Sequence, residues 1–536
     1  MRRSVIIVLV LLSVVVSGAF DSSAAGGPLA NRGRSGLYVR SLEQVLRLPS
    51  AEIDLATAVL ITSERWSDFV QGRKYISRLD DMAYELRGRL ERQNSPVDFS
   101  IRAVRLINQY LFDELGYEVV KEASSPSDLF LHSVMDNRRG YCLSLSVLYL
   151  SLSERLGLPV YGVVAPGHFF VRYDDGRVRF NIETTSKGGK ANDEHYIKKF
   201  KVPADNGRGI YMVNLDRKQV LGCFFNNLGN AYSEIGRDET ALDILSEAVD
   251  INPELSELWC NLGNIYLEAG KTGDAIKQYL RALEINPSSA LANNNLGNAY
   301  MKLGLVDESI GLYELAIELD PNLDKAYENL ANAYMDKAEY VRAERWLKKA
   351  IILEPRARYI VRLGDLYRQT KDYESAIEQY NRAIRIDEQS ARAYYGLGMC
   401  YHTEDSVSSE EAYKKAVSID GEFVAALVNL GNIYFERKQY DEAVLYYRRA
   451  AEIEPNDALI WYNTGGAYFN KGDYEQAAQA YSKTVAIDAG MSDAHKSLAM
   501  VYYKLGEYEL AEEHLTRAEQ LGESADKLRK AIEEKI

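Results

Sequence analysis

The feature that most constrains the fold is a phrase of the form Leu-Gly-Asn-x-Tyr, or a close variant, that returns through the second half of this 536-residue chain. Its second residue, a small one called the anchor here, recurs at steps of 34 or 33 residues. A unit of this length cannot bury its apolar residues alone and does so by stacking on its neighbours. The pattern therefore predicts nine stacked helix pairs over residues 222–525. The anchors are Gly229, Gly263, Gly297, Ala331, Gly364, Gly398, Gly431, Gly465 and Ala499.

A second small residue follows the anchor by 12 positions in most units, and a proline ends several of them. Small residues let two antiparallel helices approach closely, and proline cannot continue a helix. The unit closely resembles the tetratricopeptide repeat, and this resemblance implies an all-α solenoid. The two 33-residue steps indicate one-residue deletions near Arg356 and within 402–409. The second small residues are Ala241, Ala275, Ala343, Ala376, Ala443, Ala477 and Ala511, and the prolines are Pro253, Pro287, Pro321, Pro355 and Pro455.

Asparagines stand two positions before and one position after many anchors. Residues three apart share a helix face, and a side-chain amide offers both an acceptor and two donors to a peptide group. In tetratricopeptide proteins the corresponding face lines an inner groove, so the resemblance implies a peptide-binding ladder, interrupted at Arg362, Gly396 and Ser497. The alternative is that these asparagines are repeat consensus on a solvated surface. The predicted peptide-binding residues are Asn227, Asn230, Asn261, Asn264, Asn295, Asn298, Asn329 and Asn332.

Residues 38–200 show a different pattern. Apolar residues at helical spacing predict helices over 51–69, 75–92, 99–115 and 144–156. Apolar or alternating runs at 160–164, 169–173 and 177–182 predict strands, with Asp174-Asp175-Gly176 as a hairpin turn. A connector over 201–221 precedes the repeats, and residues 526–536 are a C-terminal helix end.

Three residues in this part of the chain are the components of a thiol-based active site. Cys142 lies at the start of a predicted helix, His168 follows 26 residues later, and Glu183 comes 15 residues after that. A thiol nucleophile needs a base, and the base needs a group that orients it. The positive end of the helix dipole stabilises a thiolate at such a helix start. For the third position Asn181 is a rival to Glu183.

The same segment resembles the transglutaminase-like superfamily, most closely its SirB-type branch. The resemblance is carried by Ile107-Asn108-Gln109-Tyr110 through Gly116-Tyr117, by Arg138-Arg139-Gly140, by Leu156-Gly157-Leu158-Pro159 and by Pro166-Gly167-His168-Phe169. It implies an α+β, papain-like fold in which Cys142, His168 and Glu183 are catalytic. The chain departs from the family in carrying Glu where Asp is usual, and members of this branch often lack the cysteine.

Such a site would form a thioester with an amide carbonyl, and water or an amine would release the acyl group. Backbone N–H groups at the helix start would hold the oxyanion, with Tyr141 and Tyr161 as candidate side-chain donors. The alternative interpretation makes Cys142 a buried core residue, His168 a turn histidine and Glu183 a solvated strand charge.

The N-terminus predicts export. Arg2 and Arg3 precede an apolar run from Val5 to Val16, and small residues at 17–19 suit signal cleavage. Residues 1–19 are therefore predicted to be a signal peptide of a periplasmic or secreted protein, with an uncleaved membrane anchor as the alternative; no other segment is predicted to span a membrane.

Charge and cysteine content narrow the function classes. Residues 20–219 carry 28 Lys and Arg against 25 Asp and Glu, a net charge of +3, whereas the rest of the chain after 219 carries 34 against 53, a net charge of −19. An acidic array disfavours nucleic acid. The four cysteines are scattered, so no metal site, disulfide framework or cofactor is expected.

Two functions follow from these patterns. The first is an exported, cysteine-dependent amide hydrolase or acyltransferase whose repeats dock a protein or peptide. The second is a non-catalytic repeat scaffold for protein–protein interactions.

Overall fold

The structure is a computed structural model that describes residues 31–32, 38–66, 70–92, 99–120, 125–200, 202, 210–401 and 406–536. The predicted signal peptide at 1–19 lies outside the described residues, as does most of the second deletion site at 402–405. Contacts divide the chain into two compact units, Met1–Asn295 and Leu296–Ile536. The predicted domain boundaries divide it by sequence pattern instead and stay a prediction.

The first part of the chain is a mixed α/β region. Its elements are β1 (Asn31–Arg32), β2 (Tyr38–Val39), α1 (Leu42–Arg47), α2 (Leu55–Trp66), α3 (Gly72–Arg92), α4 (Phe99–Asn108), β3 (Glu118–Val119), α5 (Leu131–Asn137), β4 (Arg139–Gly140), α6 (Cys142–Arg155), β5 (Val160–Ala165), β6 (His168–Asp174), β7 (Arg179–Glu183), β8 (Gly189–Ala191) and α7 (Asp193–Lys199).

The second part is helical throughout its described residues. Its elements are α8 (Arg217–Glu234), α9 (Asp238–Ile251), α10 (Ser256–Glu268), α11 (Thr272–Ile285), α12 (Ala290–Lys302), α13 (Val306–Leu319), α14 (Asp324–Asp336), α15 (Tyr340–Leu353), α16 (Ala357–Gln369), α17 (Tyr373–Ile386), α18 (Ala391–Tyr401), α19 (Ser406–Ile419), α20 (Val424–Glu436), α21 (Tyr440–Ile453), α22 (Ala458–Lys471), α23 (Tyr474–Ile487), α24 (Ser492–Leu505), α25 (Tyr508–Gln520) and α26 (Asp526–Glu533). The predicted fold class, an α+β domain followed by all-α repeats, is confirmed.

Four antiparallel strands in the order β5-β6-β7-β8 form the sheet that carries the candidate site. The three predicted strands are present, and the turn between β6 and β7 is held by the Asp175 carboxylate, which accepts the N–H groups of Arg177 and Val178 at 2.8 and 2.7 Å. The sequence analysis missed β8, which is only three residues long and carries the polar, glycine-containing segment Gly189–Ala191.

Helix α6 was predicted over 144–156 and begins two residues earlier, at Cys142. The Tyr141 N–H, just before the helix, donates to the hydroxyl of Ser144 in the first turn at 2.8 Å, so this backbone group has a partner. A Cβ on Gly140 would lie 2.7 Å from that hydroxyl oxygen, so only glycine fits before the turn. Cys142 is thereby the first residue of the helix.

The helix predicted over 51–69 begins late. A single 3₁₀ turn occupies Ser50–Glu52, and α2 starts only at Leu55. The Asp54 carboxylate accepts the Thr57 N–H at 2.7 Å, so Asp54 acts as the N-cap. An apolar pattern alone does not reveal where such a cap interrupts it.

The anchor glycines of the repeats are explained by tyrosines in the following helix. A Cβ on Gly263 would lie 2.6 Å from the Tyr279 ring, and one on Gly364 would lie 2.7 Å from the Tyr380 ring. These tyrosines stand 16 residues after their anchors. Where that position is leucine, at Leu347 and Leu515, the anchor is alanine. Gly229, which meets Leu245, departs from this correlation. The size of the anchor residue is therefore set mainly by the side chain that packs on it from the second helix.

Gly364→Ala is expected to lower the free energy of unfolding by about 1–3 kcal/mol, because the added methyl group overlaps the buried Tyr380 ring. Gly311→Ala is the matched control: it also replaces a helical glycine, but its Cβ meets nothing within 4 Å. The control is expected to raise stability by about 0.5–1 kcal/mol. Chemical denaturation followed by circular dichroism measures both, and equal effects of the two substitutions would contradict this packing account.

One hydrophobic core joins the α/β region to the first repeats within the first unit, with members from Leu42 to Ile265. The Trp66 and Phe225 rings meet edge to face, with centroids 5.7 Å apart. The Tyr232 hydroxyl donates to the Trp66 carbonyl, and Arg65 pairs with Glu247. The first two repeats are thus part of the packing of the α/β region. In the described part of the chain, no helix combines the length and apolar character that crossing a membrane requires.

Candidate active site

The fold brings the three predicted catalytic residues together from separate elements. Cys142 is the first residue of α6, His168 is the first residue of β6, and Glu183 is the last residue of β7. The His168 imidazole hydrogen-bonds to the Glu183 carboxylate, and the Cys142 thiol is near enough to influence the pKa of the ring. The bond from His168 Nε2 to Glu183 Oε2 is 2.8 Å long, and both side chains are 12% exposed. Because Nε2 is bonded to Glu183, Nδ1 is the ring nitrogen that remains to interact with the Cys142 thiol.

The charges of the site are set by these contacts. Burial acts to lower the pKa of His168, but its interactions with Cys142 and Glu183 outweigh burial and raise that pKa to about 9. Burial acts to raise the pKa of Glu183, and the bond to His168 outweighs it, so the pKa falls to about 2. At neutral pH the histidine is therefore a cation whose charge the Glu183 carboxylate favours.

Glu183 is held by more than the histidine. Its Oε1 accepts the Thr185 N–H at 3.1 Å and the Thr185 hydroxyl at 2.6 Å, and its Oε2 accepts the Tyr196 hydroxyl at 3.0 Å. The rival residue, Asn181, accepts Arg172 Nε at 2.7 Å and donates to Asp193 at 2.7 Å. The orienting group of the imidazole is therefore Glu183, and Asn181 belongs to the buried Arg172 cluster.

Aromatic rings fix the plane of the imidazole. Phe200 stacks on His168 with centroids 4.4 Å apart and 7° between the planes. Tyr196 stacks on Phe170 at 3.9 Å. The sequence analysis missed Tyr196, Phe200 and Thr185. The one available signal was the spacing of Tyr196 and Phe200, four residues apart at the end of α7, which places both on one side of that helix.

The start of α6 provides the surroundings of the sulfur. The Thr184 hydroxyl donates to the Cys142 carbonyl at 3.4 Å and pairs with the Ser146 hydroxyl at 2.9 Å, which ties the helix to the residue after Glu183. N–H groups in the first turn of a helix have no partner within the helix and suit an oxyanion. Of the two candidate tyrosines, Tyr141 is the N-cap beside Cys142, whereas Tyr161 lies four residues along β5 from Ala165, the residue paired with His168.

The other three thiols have different surroundings. Cys223, Cys260 and Cys400 are buried, whereas Cys142 is partly exposed. Burial raises the pKa of Cys223 and Cys260 far above the ordinary value and that of Cys400 to about 11. These three cysteines are packing residues.

Several asparagines of the predicted ladder bond to the protein itself. Asn264 Oδ1 accepts the Tyr279 hydroxyl at 2.8 Å and Asn295 Nδ2 at 2.9 Å. Asn298 Oδ1 accepts the Tyr313 hydroxyl at 2.8 Å. The side-chain oxygens of Asn264 and Asn298 thus accept hydrogen bonds from the tyrosines that pack on the anchor glycines. A bound peptide would therefore meet the side-chain N–H groups of these two asparagines.

The remaining ladder residues are placed less uniformly. Asn261 Nδ2 donates at 2.7 Å to Asn226, a residue that the sequence analysis did not single out, and Asn295 is 8% exposed. Asn227, Asn230, Asn329 and Asn332 are half-buried on the corresponding first helices. A peptide-binding role for the eight asparagines stays a prediction.

Glu183→Gln is expected to lower the pKa of His168 by about one unit or more, because a neutral amide replaces the carboxylate that favours the imidazolium. A histidine whose folded pKa lies above its ordinary 6.5 contributes stability that is complete below pH 6.5 and is lost as pH rises through 9. Because His168 of the variant deprotonates at a lower pH than in the wild type, its contribution to the free energy of unfolding should also be lost at a lower pH. Titration by NMR measures the shift, with Glu194→Gln, an exposed carboxylate on α7, as the control; an unchanged midpoint in Glu183→Gln would refute the pairing.

Comparison with known proteins agrees with this architecture. A family model described as the transglutaminase-like superfamily matches residues 73–204. Tetratricopeptide-repeat models match residues 229–270, 263–304, 290–323, 325–353, 364–404, 431–472 and 468–526.

Among curated relatives, a "UPF0162 protein" of Xylella fastidiosa (strain 9a5c) is 26% identical over 215 residues, which are 38% of this chain and 73% of the relative. F-box only protein 21 of Mus musculus is 30% identical over 81 residues, 15% of this chain and 13% of the relative.

Solved structures similar to this chain include MamA, which is 31% identical at a TM-score of 0.27 over 30% of this chain and 95% of that chain. Pseudomonas aeruginosa pilF is 18% identical at a TM-score of 0.34 over 41% of this chain and 97% of that chain.

Residues 73–204 of this chain form a transglutaminase-like domain, and tetratricopeptide repeats follow it. Members of that superfamily are often cysteine-dependent enzymes, and tetratricopeptide repeats generally bind protein partners.

Proposed function

We propose that this protein is an exported, cysteine-dependent enzyme that acts on peptide or protein amides, and that its repeats dock the protein or peptide partner. The observation that supports this most is that His168, hydrogen-bonded to Glu183 at 2.8 Å, neighbours the Cys142 thiol at the start of a helix. A structural histidine needs neither a cysteine partner nor a carboxylate held by three further hydrogen bonds.

The reaction begins with attack of the Cys142 thiolate on an amide carbonyl carbon. The carbonyl oxygen gains the negative charge and accepts hydrogen bonds from N–H groups of the first turn of α6. The C–N bond breaks as the imidazolium of His168 gives its Nδ1 proton to the leaving nitrogen, which departs as ammonia or an amine. The product of this half-reaction is a thioester on Cys142 and a neutral His168.

The second half-reaction restores the starting charges. Neutral His168 takes a proton from water or from an acceptor amine, whose oxygen or nitrogen attacks the thioester carbon. The C–S bond breaks, the acyl group leaves as a carboxylate or a new amide, and the thiolate faces the imidazolium again. Glu183 remains ionised throughout, because its pKa of about 2 lies far below that of the group it supports.

Export and docking are separate parts of the proposal. The predicted signal peptide supports export, and cell fractionation of the full chain tests it. The repeats support docking because their first helices carry amide N–H donors at Asn264 and Asn298 beside the rings that fix them.

Capture of the thioester tests the catalytic part. The protein is mixed with blocked glutamine-containing peptides, quenched in acid and weighed intact by mass spectrometry. We expect an adduct on Cys142 equal to the peptide minus ammonia, which hydroxylamine removes. The Cys142→Ala variant should show no adduct. Turnover of the same peptides by Cys142→Ala, or absence of any adduct on the wild-type protein, would contradict the proposal.

A further inference from the structure

Positive charge surrounds the candidate site without matching negative charge. Lys187, Lys190, Lys198 and Lys199 are all exposed, and none of them forms an ion pair with another described residue. Of the acidic residues in the same segment, Glu194 is exposed on α7, whereas Glu183 and Asp193 are already engaged. Glu183 binds His168, and Asp193 binds Arg172 at 2.7 Å and Arg179 at 2.9 Å. The excess cations therefore face solvent or a ligand.

Lys199 is directly connected to the catalytic histidine. Its ammonium lies 5.0 Å from the centroid of the Phe200 ring. The same ring stacks on His168 at 4.4 Å. A cation over an aromatic ring is held in place by the ring's quadrupole. One aromatic ring, that of Phe200, thus contacts both Lys199 and the imidazole, and the Lys199 ammonium forms no ion pair with another described residue.

Lys187 is positioned by the backbone beside Glu183. It ends the short turn Thr184–Ser186, and the Gly188 N–H donates back to the Glu183 carbonyl at 2.9 Å. Its φ of 53° lies in the left-handed region, which residues other than glycine and asparagine adopt rarely. A lysine kept in this conformation four residues after Glu183 places a second cation at the edge of the site.

The neighbouring Lys198 provides a contrast within one helix. Residues of an α-helix advance by about 100° each. Lys199 therefore projects about 60° from the direction of Tyr196, whose hydroxyl binds Glu183, and Lys198 projects about 200° from it. The two adjacent lysines carry the same charge and project about 100° apart, and Lys199 is the one whose direction lies nearer to Tyr196 and whose ammonium lies over the Phe200 ring.

We propose that the segment bound at Cys142 carries a carboxylate next to the reactive amide, and that Lys199 and Lys187 hold this carboxylate. The inference rests on the proposed function and names its substrate class, an acidic peptide. Lys199 and Lys187 lie near the site, and no described carboxylate pairs with either of them. An acidic residue in the substrate would therefore be attracted by both ammonium groups, whereas a basic residue would be repelled.

Peptide binding to the full-length Cys142→Ala variant tests the inference without requiring any reaction. The probes are two blocked pentapeptides with a central glutamine, one flanked by glutamates and the other by lysines. Calorimetry at low salt is expected to give a Kd about tenfold lower for the glutamate peptide, and added salt should reduce the difference. In the same background, Lys199→Glu should abolish the preference, and Lys187→Gly should weaken it while relieving the left-handed backbone.

Lys198→Glu is the matched control, because it makes the same charge change at the same end of the same helix. It should alter the preference less than about twofold. Equal effects of Lys198→Glu and Lys199→Glu, binding without charge preference, or no binding of either peptide would overturn the inference. A clear preference in a protein that never forms a thioester would leave this acidic-peptide surface standing and refute catalysis alone.

Discussion

Replacing His168 with alanine is expected to slow alkylation of Cys142 by iodoacetamide at pH 7 about 30-fold. The wild-type imidazolium, hydrogen-bonded to Glu183 and near the sulfur, is expected to stabilise the thiolate form as an ion pair. Without it, an ordinary thiol is ionised to only a few per cent at neutral pH, and the thiolate is the reactive form. Any acyl transfer should fall further, by about 10⁴-fold, since the same residue moves the proton in both half-reactions.

His195→Ala is the control for this experiment. His195 is an exposed residue of α7 and does not bond to the thiol. Thermal melts of both variants show whether the fold is kept after the stacking partner of Phe200 is lost. Equal alkylation rates in wild type and His168→Ala would show that the imidazole does not activate the sulfur.

Phe225→Ala is expected to lower the free energy of unfolding of the first unit by about 3–5 kcal/mol. The ring is fully buried and meets Trp66 edge to face at 5.7 Å, so its removal leaves a cavity between the α/β region and the first repeat. The effect should reach the candidate site, because Cys142 packs against the same core. Selective alkylation of Cys142 should therefore be lost at a lower denaturant concentration than in the wild type.

Leu459→Ala is the comparison, because this repeat leucine is 62% exposed and its truncation should change stability by less than about 0.5 kcal/mol. Urea denaturation followed by Trp fluorescence and by Cys142 alkylation measures both. If Phe225→Ala destabilised only the repeats and left the alkylation midpoint unchanged, the shared core would not couple the two parts.

The three residues proposed to be catalytic were predictable because each carries a local signal. Cys142 lies two residues after Gly140 and precedes a leucine-rich helical pattern. His168 and Glu183 lie at the ends of strands that the alternating pattern and the Asp175 turn predict. Their convergence was predictable only through the resemblance to a known superfamily, since no spacing along the chain encodes a contact between a helix start and two strands.

The residues that support the site were not predictable in the same way. Tyr196, Thr185 and Phe200 are ordinary polar and aromatic residues in sequence. Thr185 bonds to Glu183 through the short turn after β7, and Tyr196 and Phe200 reach the site only because α7 folds back over the sheet. The repeats show the same limit. The sequence identified Asn264 as a ladder residue, but the partner that engages it, Tyr279, lies on the next helix.

The central claim is that Cys142, His168 and Glu183 form one reactive thiol site, and the rate of alkylation of all four cysteines in the native protein tests it most directly. A limiting amount of iodoacetamide is quenched at intervals, and each thiol is quantified by peptide mass spectrometry. The account predicts that Cys142 reacts at least about 100-fold faster than the buried Cys223, Cys260 and Cys400 at pH 7. Slow modification of Cys142 at the rate of those three buried thiols would contradict it.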